Sequence, residues 1–509
     1  MSRLTVAMIV KNEEKYLKDC LLSIKDVADE IVIVDTGSTD KTKQIAAEFG
    51  AKIYDYVWIN DFSAARNYSL QQSTGEWILY IDADERLDSS SIPELKKIIS
   101  NKTLSGCYCT VLSYDSGESR DNSLRYPRLF FNSPEIKFEG RVHEQIGASL
   151  VRNNYQLLNS NILIHHLGYN ISKDEQKNKA LRNLTLLKAE YEFNKSAYIA
   201  FQLAQSYNVV DDMDSAKKYF EIAANSNDLD KSLRAQSYAS LALIAHANNN
   251  IKDAEKYIQS AIKLDNRQPF SHLLAAKISL RGGDQVRAEE RCLTAYKLNK
   301  NISTDKERSN LVVILDLEEV IYFGLTIALQ NQNSNNIGFY QKELSAYYNS
   351  KGNENGPLKL AVIQKLFCCS QLSAVEEKMI IKLANRYTLN LLLTLLVINP
   401  NKQQILEITK NLLNKFPDSI EIKKILSKLL DDAGKLDEAI QILENVVEKE
   451  EYDPAILFYL ISFYLKNGSA EKINSIVMLL EKKYANIPEI AERVNRLKEK
   501  LAIHNSRPQ

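Results

Sequence analysis

A chain of 509 residues is too long for one compact core, and at ~100–200 residues per domain it should fold as two to four units. Apolar residues make up 45% and charged residues 26%, which excludes a disordered chain. Lys plus Arg (65) balances Asp plus Glu (65), so there is no basic excess of the kind that marks nucleic acid as the main partner.

The six cysteines include no Cys-x-x-Cys zinc spacing and are expected to be reduced thiols. Leu4 to Val10 is apolar but short, and Lys11-Asn12-Glu13-Glu14 follows at once, which does not fit a secretory leader. The most apolar internal run, Leu391 to Ile398, falls far below the ~20 residues that span a bilayer. These features predict a cytoplasmic protein, at most peripheral to a membrane.

The first ~100 residues alternate strand and helix signals. Leu4 to Val10 predicts a buried strand. Asn12 is placed to cap a helix whose apolar face is Leu17, Leu21 and Ile24. Ile31-Val32-Ile33-Val34 predicts a second strand, almost wholly β-branched. Asp35 to Asp40 forms a turn into a second helix, with Ile45, Ala46 and Phe49 inward and Gly50 as its stop. Ala51 to Tyr56 predicts a third strand, Phe62 to Gln72 a third helix closed near Gly75, and Trp77 to Ile81 a fourth strand.

Such alternation builds a parallel sheet, and in parallel sheets ligands sit beyond the carboxyl ends of the strands. The residues at those ends are Lys11, Asn12 and Glu13, then Asp35, then Asp82-Ala83-Asp84. Two carboxylates one residue apart at a strand end can hold a hard divalent cation, Mn2+ or Mg2+, with a nucleotide diphosphate completing its shell. The plain alternative is a solvated acidic turn. A dinucleotide-binding fold would also carry an acid after its second strand, but it needs a Gly-rich turn after the first. Val10-Lys11-Asn12-Glu13-Glu14 stands there instead.

Four stretches taken together resemble the successive motifs of family-2 glycosyltransferases of the GT-A fold. They are Met8 to Glu14, Val32 to Asp40, Asp61 to Asn67, and Tyr80 to Glu85. The resemblance covers roughly residues 3 to 190. It is closest to the branch with C-terminal tetratricopeptide repeats, which includes the peptide S-glycosyltransferases of glycocin biosynthesis. It implies inverting transfer from a nucleotide sugar, usually a UDP-sugar. It further implies that Asp35 contacts the nucleobase, that Asp82 and Asp84 meet ribose, diphosphate and metal, and that Arg66 and Asn67 face the donor. Ser38 and Asp40, in the second motif, join the donor-binding set.

From ~100 to ~170 the pattern is irregular and rich in Tyr, Phe, Arg and His. Inverting transfer needs a base to take the acceptor's proton. Relatives draw it from this region, and Glu144 is the first candidate, with Glu139 second; either could instead pair with Arg141 at the surface. The base should lie within ~10 Å of the metal site. By the same resemblance His166, which opens a His-Leu-Gly-Tyr motif, and His143 are candidate metal or phosphate contacts. Arg125, Arg128, Lys179 and Arg182 are candidate contacts to diphosphate or acceptor.

From ~180 onward the chain is helical and repeats. Ala204, Tyr207, Ala216, Phe220 and Ala223 recur as Ala242, Ala245, Ala254, Ile258 and Ala261, then as Ala276, Ser279, Ala288, Cys292 and Ala295, at offsets of 38 and 34 residues. This resembles the tetratricopeptide repeat. The expected organisation is a GT-A domain over 1–190, tetratricopeptide-like repeats over 191–300, and degenerate helical repeats with a C-terminal cap over 301–509. Lys351 to Pro357 is the expected internal linker.

The repeats offer a concave face for a peptide or protein acceptor, or a means of homo-oligomerisation. Three readings compete with a peptide-modifying transferase. They are a transferase acting on lipopolysaccharide or another cell-surface glycan, a non-catalytic scaffold with a vestigial transferase domain, and a nucleotidyltransferase. The last would show a Gly-rich nucleotide loop.

Overall fold

The computed structural model describes residues 3–101, 103–114, 120–167, 172–302, 309–350, 356–385, 387–448, 454–484 and 488–505. The sheet core begins with β1 (Leu4–Val10), α1 (Leu17–Ile24), β2 (Glu30–Asp35), α2 (Thr42–Glu48), β3 (Lys52–Asp55), α3 (Phe62–Gln72) and β4 (Trp77–Tyr80). β2 and β4 flank β1 in parallel, and β3 lies beyond β2, also parallel. Alternate residues of β4 enter separate cores. Trp77 and Leu79 pack with α1, whereas Ile78 and Tyr80 pack on the opposite face with Phe130 and Phe138. A strand covered on both faces needs an unbroken apolar run, and that is why these strands stand out in the sequence.

Two local expectations give way to other roles. Asn12 does not cap α1, which starts five residues later without a side-chain cap. Its backbone is left-handed (φ 57°), and its side chain accepts from the Thr39 amide at 2.8 Å, tying the turn after β1 to the turn after β2. Gly75 is not the stop of α3, which ends at Gln72. A Cβ there would lie 2.7 Å from the Thr5 amide nitrogen, so only glycine lets this turn approach β1.

The stretch read as irregular holds most of the remaining sheet. β5 (Glu85–Leu87), α4 (Ile92–Ile99), β6 (Ser105–Ser113), β7 (Arg120–Phe131), α5 (Gly147–Arg152) and β8 (Gln156–His166) follow in order. β7 pairs antiparallel with β4 and β6, β8 runs parallel to β6, and β5 closes the edge antiparallel to β8. β8 buries only three of its eleven residues and mixes Asn, Ser and His with Leu and Ile, so no clean period of two appears in the sequence.

A 21-residue helix, α6 (Lys173–Phe193), begins at a capping box built by Ser172 and Glu175. The Gly168-Tyr169 half of the His-Leu-Gly-Tyr motif lies outside the described residues. Three helix pairs come next: α7 (Ala197–Val209) with α8 (Met213–Asn225), α9 (Lys231–Ala247) with α10 (Ile251–Leu264), and α11 (Pro269–Arg281) with α12 (Gln285–Lys300). Left-handed Asp211, Asn249 and Gly283 turn each pair, and Asp212, Asn250 and Asp284 then cap the second helix. The repeated alanines are buried where paired helices cross, apart from partly buried Ala245.

The chain then returns to the sheet. β9 (Leu311–Leu315) pairs antiparallel with the first half of β7. The Asn299 amide brackets Leu315, donating to its carbonyl and accepting from its N–H, both at 2.8 Å.

Contacts divide the molecule into two compact units, Met1–Val320 and Ile321–Gln509. The second is helical throughout its described residues, up to the last helix at Pro488–Asn505. In the expected linker, residues 351–355 lie outside the described residues, and Gly356 already begins a helix. None of the six cysteines forms a disulfide, and none of the described helices is long and apolar enough to cross a membrane.

Candidate active site

A cleft of about 580 Å³ opens at the carboxyl ends of the parallel strands. Its floor holds Lys11, Glu13, Tyr80, Asp82, Ala83, Asp84, Arg128 and His166. Trp58, Asn60, Phe62 and Arg66 form one wall, and Val142 to Gln145 another. Lys179, Arg182, Asn183 and Leu186 of α6, with Tyr198 and Gln202 of α7, complete it.

The two aspartates after β4 keep different partners. Asp82 is held by arginines: Arg66 Nη2 donates to its Oδ1 at 2.7 Å, and Arg128 Nη1 stands 3.7 Å from Oδ2. Burial alone would raise the Asp82 carboxyl, but Arg66 and then Arg128 outweigh it and hold it well below the usual range. Asp84 instead faces His166, Oδ2 to Nε2 at 3.2 Å, while Ser113 contacts Nδ1 of the same ring at 3.1 Å. Burial would lower His166, but Asp84, then Glu85 and Asp82, raise it, so this corner of the cleft favours positive charge.

Arg66 also bonds Glu144 through its Nε, so one guanidinium links Asp82 to Glu144. Both arginines lie over the Tyr80 ring, at 5.2 Å and 4.4 Å from its centroid. Arg128 is buried, and its Nε and Nη1 donate no hydrogen bond among the described residues. Both atoms are enclosed, and Nη1 faces the Asp82 carboxylate, so Arg128 acts here as a buried counter-charge beside the cleft.

Glu85, quoted in the fourth motif but given no role there, closes the Asp82–Glu85 turn. Its carboxylate accepts from the Asp82 amide at 2.9 Å and from Arg128 at 2.8 Å. Glu13 is half-buried across from Asp84. Burial, with Asp84, Asp82 and Asp40 adding and Lys179 opposing, pushes it up to about 7.

Of the other expected site residues, all but His143 sit outside the cleft lining. Asn67 does not line the cleft, because both ends of its amide are taken by the Phe138 backbone at 3.0 and 2.7 Å. Glu139 pairs with Arg152 on the outer surface. Arg125 bonds Asn159 at 2.9 Å and lies over Tyr108. Ser38 and Asp40 accept from the amides of Asn12 and Glu14 and shape the turn after β1. Asp35 spends Oδ1 on the amides of Gly37 and Ser38, and its buried Oδ2 accepts nothing among the described residues. His143 lines the cleft beside Glu144, on a different wall from Asp84 and His166.

Among the described residues no three His, Cys, Asp or Glu side chains gather to hold a metal ion by themselves. Asp84 and His166 offer one carboxylate and one imidazole side by side, a donor pair suited to a divalent cation whose remaining ligands come from a diphosphate. The tertiary structure also supplies what motif reading missed: Trp58, Asn60, Tyr198 and Gln202, scattered over a loop and the first repeat helix.

Residues 5–163 match the family model for glycosyl transferase family 2. A TPR repeat-containing protein of Synechococcus elongatus is 31% identical over 270 residues, covering 52% of this chain and 66% of that protein. The SPbeta prophage-derived glycosyltransferase SunS of Bacillus subtilis is 34% identical over 188 residues, covering 36% of this chain and 44% of SunS. The matches thus span just under two thirds of the first relative and less than half of the second. Among solved structures, a tetratricopeptide repeat protein from Parabacteroides merdae is similar over 59% of this chain and 98% of its own, at 14% identity and a TM-score of 0.39. Residues 5–163 are thus similar to glycosyl transferase family 2, on a mixed sheet with acids at its strand ends, and repeated helix pairs follow them.

Proposed function

We propose that this cleft binds a UDP-sugar and transfers its sugar, with inversion, to a peptide or protein acceptor engaged by the helical repeats, in the cytoplasm. One observation carries the reading: Glu144 and Asp82 grip a single guanidinium in a cleft that Asp84, His166 and Arg128 also line. A candidate base, a candidate cation site and a candidate diphosphate donor thereby share one small volume.

Asp84 and His166 would hold a manganese or magnesium ion, which supplies charge neutralisation for a departing diphosphate. Arg128 would donate to phosphate oxygens. The free Oδ2 of Asp35 would accept from a nucleobase N–H. Glu144 would take the acceptor's proton, with Arg66 holding its carboxylate toward the cleft. The transferase domain is taken as residues 1–190, with repeats over 191–300 and a degenerate array beyond. The peptide acceptor rests on the resemblance to the repeat-bearing branch, and on α7, the first repeat helix, forming part of the cleft wall.

The test is a thermal-unfolding panel of nucleotide sugars with and without manganese. A ligand at a hundredfold excess over its Kd stabilises the native state by about 3 kcal/mol. A manganese-dependent rise is expected with UDP-sugars and should vanish in Asp84→Asn. No shift with any nucleotide sugar would favour a vestigial domain. A full shift in Asp84→Asn would remove the metal pair.

A further inference from the structure

The loop that carries Glu144 is held in an unusual shape from outside. Paired backbone hydrogen bonds between Glu139 and Gln145, at 2.9 and 2.8 Å, close it. Within it Gly140 (φ 96°) and His143 (φ 55°) are both left-handed, and His143 has a Cβ that opposes that conformation. Such backbone persists where its surroundings over-determine it.

Three helices provide the restraint. From α3, the Phe62 amide donates to Arg141 O at 2.9 Å and Ser63 Oγ to Gly140 O. From α6, Glu190 accepts from the Arg141 amide at 3.0 Å. From α7, the Tyr198 hydroxyl donates to His143 O at 3.3 Å and accepts from Gln145 Nε2 at 2.8 Å, while Gln145 Nε2 also reaches His143 O at 3.2 Å. Val142 is buried among Leu184 and Leu187 of α6 and Ile199 of α7.

The geometry points to Tyr198 as a positioning residue that acts through Glu144: the first helix of the repeat array fixes the strained peptide at His143, and that peptide aims the next side chain at Arg66. The inference rests on Glu144 as the base. Without the hydroxyl, His143 O keeps only the Gln145 amide among these side-chain partners. The left-handed turn can then relax, and the Glu144 carboxylate loses its fixed approach to Arg66 Nε. Because Tyr198 belongs to the repeats, an acceptor seated on that helix would lie one hydrogen bond from the base loop.

The experiment uses the full chain and follows UDP release from the UDP-sugar that gives the largest thermal shift, with water as acceptor. Wild type, Tyr198→Phe, Glu144→Asp and the double variant are compared. Tyr198→Phe keeps the ring and its packing, so the unfolding temperature should change little. We expect kcat to fall about tenfold with the donor KM unchanged, and amide exchange at Arg141 and Gln145 to quicken. In the double variant the two losses should not multiply, because both act through one carboxylate. Multiplied losses, or an unchanged kcat in Tyr198→Phe while Glu144→Asp is impaired, would overturn the positioning role alone. An unimpaired Glu144→Asp, or a wild type that releases no UDP from any sugar donor, would overturn the base assignment and this inference with it.

Discussion

Asp82 and Asp84 show how little a sequence motif says about division of labour. One residue apart, they point to different neighbours because they bracket a turn that Glu85 closes. Asp82 faces inward to Arg66 and Arg128, whereas Asp84 faces His166. Arg66 can serve two acids at once because its Nε and Nη2 are fixed in one plane, a geometry that an ammonium group lacks. Arg66→Lys should therefore keep UDP binding within about threefold but lower the rate of UDP release about a hundredfold, since Glu144 loses its anchor. Calorimetry for binding and a coupled assay for release would separate the two. Equal losses in both would mean that Arg66 serves the donor rather than the base.

The elements of the first hundred residues were legible because their strands are covered on both faces, which forces continuous β-branched and apolar runs. β6, β7 and β8 were hidden because polar residues punctuate them, and β8 in part meets solvent. At this scale one buried acid reports on how two elements join. Glu30, at the start of β2, accepts from Thr5 of β1, from Lys52 of β3 at 2.6 Å, and from Thr74 through both its amide and its hydroxyl.

Burial alone would raise the Glu30 carboxyl, but Lys52, Thr5 and Thr74 outweigh it and hold it at about 2. The folded value lies below the unfolded one, so the stabilisation is present above pH ~4.5 and is lost as pH falls toward ~2. Glu30→Gln should cost about 3 kcal/mol at pH 7, and the gap should shrink to less than half by pH 3 in urea unfolding. A gap that stays constant down to pH 3 would mean that the acid contributes through shape alone.

For the whole molecule, the first compact unit does not stop where the family resemblance stops. α7 supplies Tyr198 and Gln202 to the cleft, Val142 of the loop that carries Glu144 packs into the core between α6 and α7, and β9 returns from beyond the third repeat to extend the sheet. A chain cut near residue 190 strips apolar partners from Leu184, Leu187 and Val142. Such a fragment should therefore lose both transfer and slow donor hydrolysis. Gel filtration, circular dichroism and a UDP thermal shift would check this. A folded fragment that still hydrolyses donor would show that the repeats add nothing to the catalytic unit.

By itself the sequence determined what local chemistry encodes: the parallel strands, the acids at their ends, the motif order and the small-residue period of the repeats. It also singled out Glu144, though only through the resemblance, and the structure sets that side chain on the guanidinium that Asp82 shares. Tertiary structure alone decided which acid meets arginine and which meets histidine, that Asn67, Glu139 and Arg125 are occupied elsewhere, and that a repeat helix walls the cleft. Those facts depend on residues far apart in the chain meeting across a turn or a helix face, and no window of neighbouring residues carries that information.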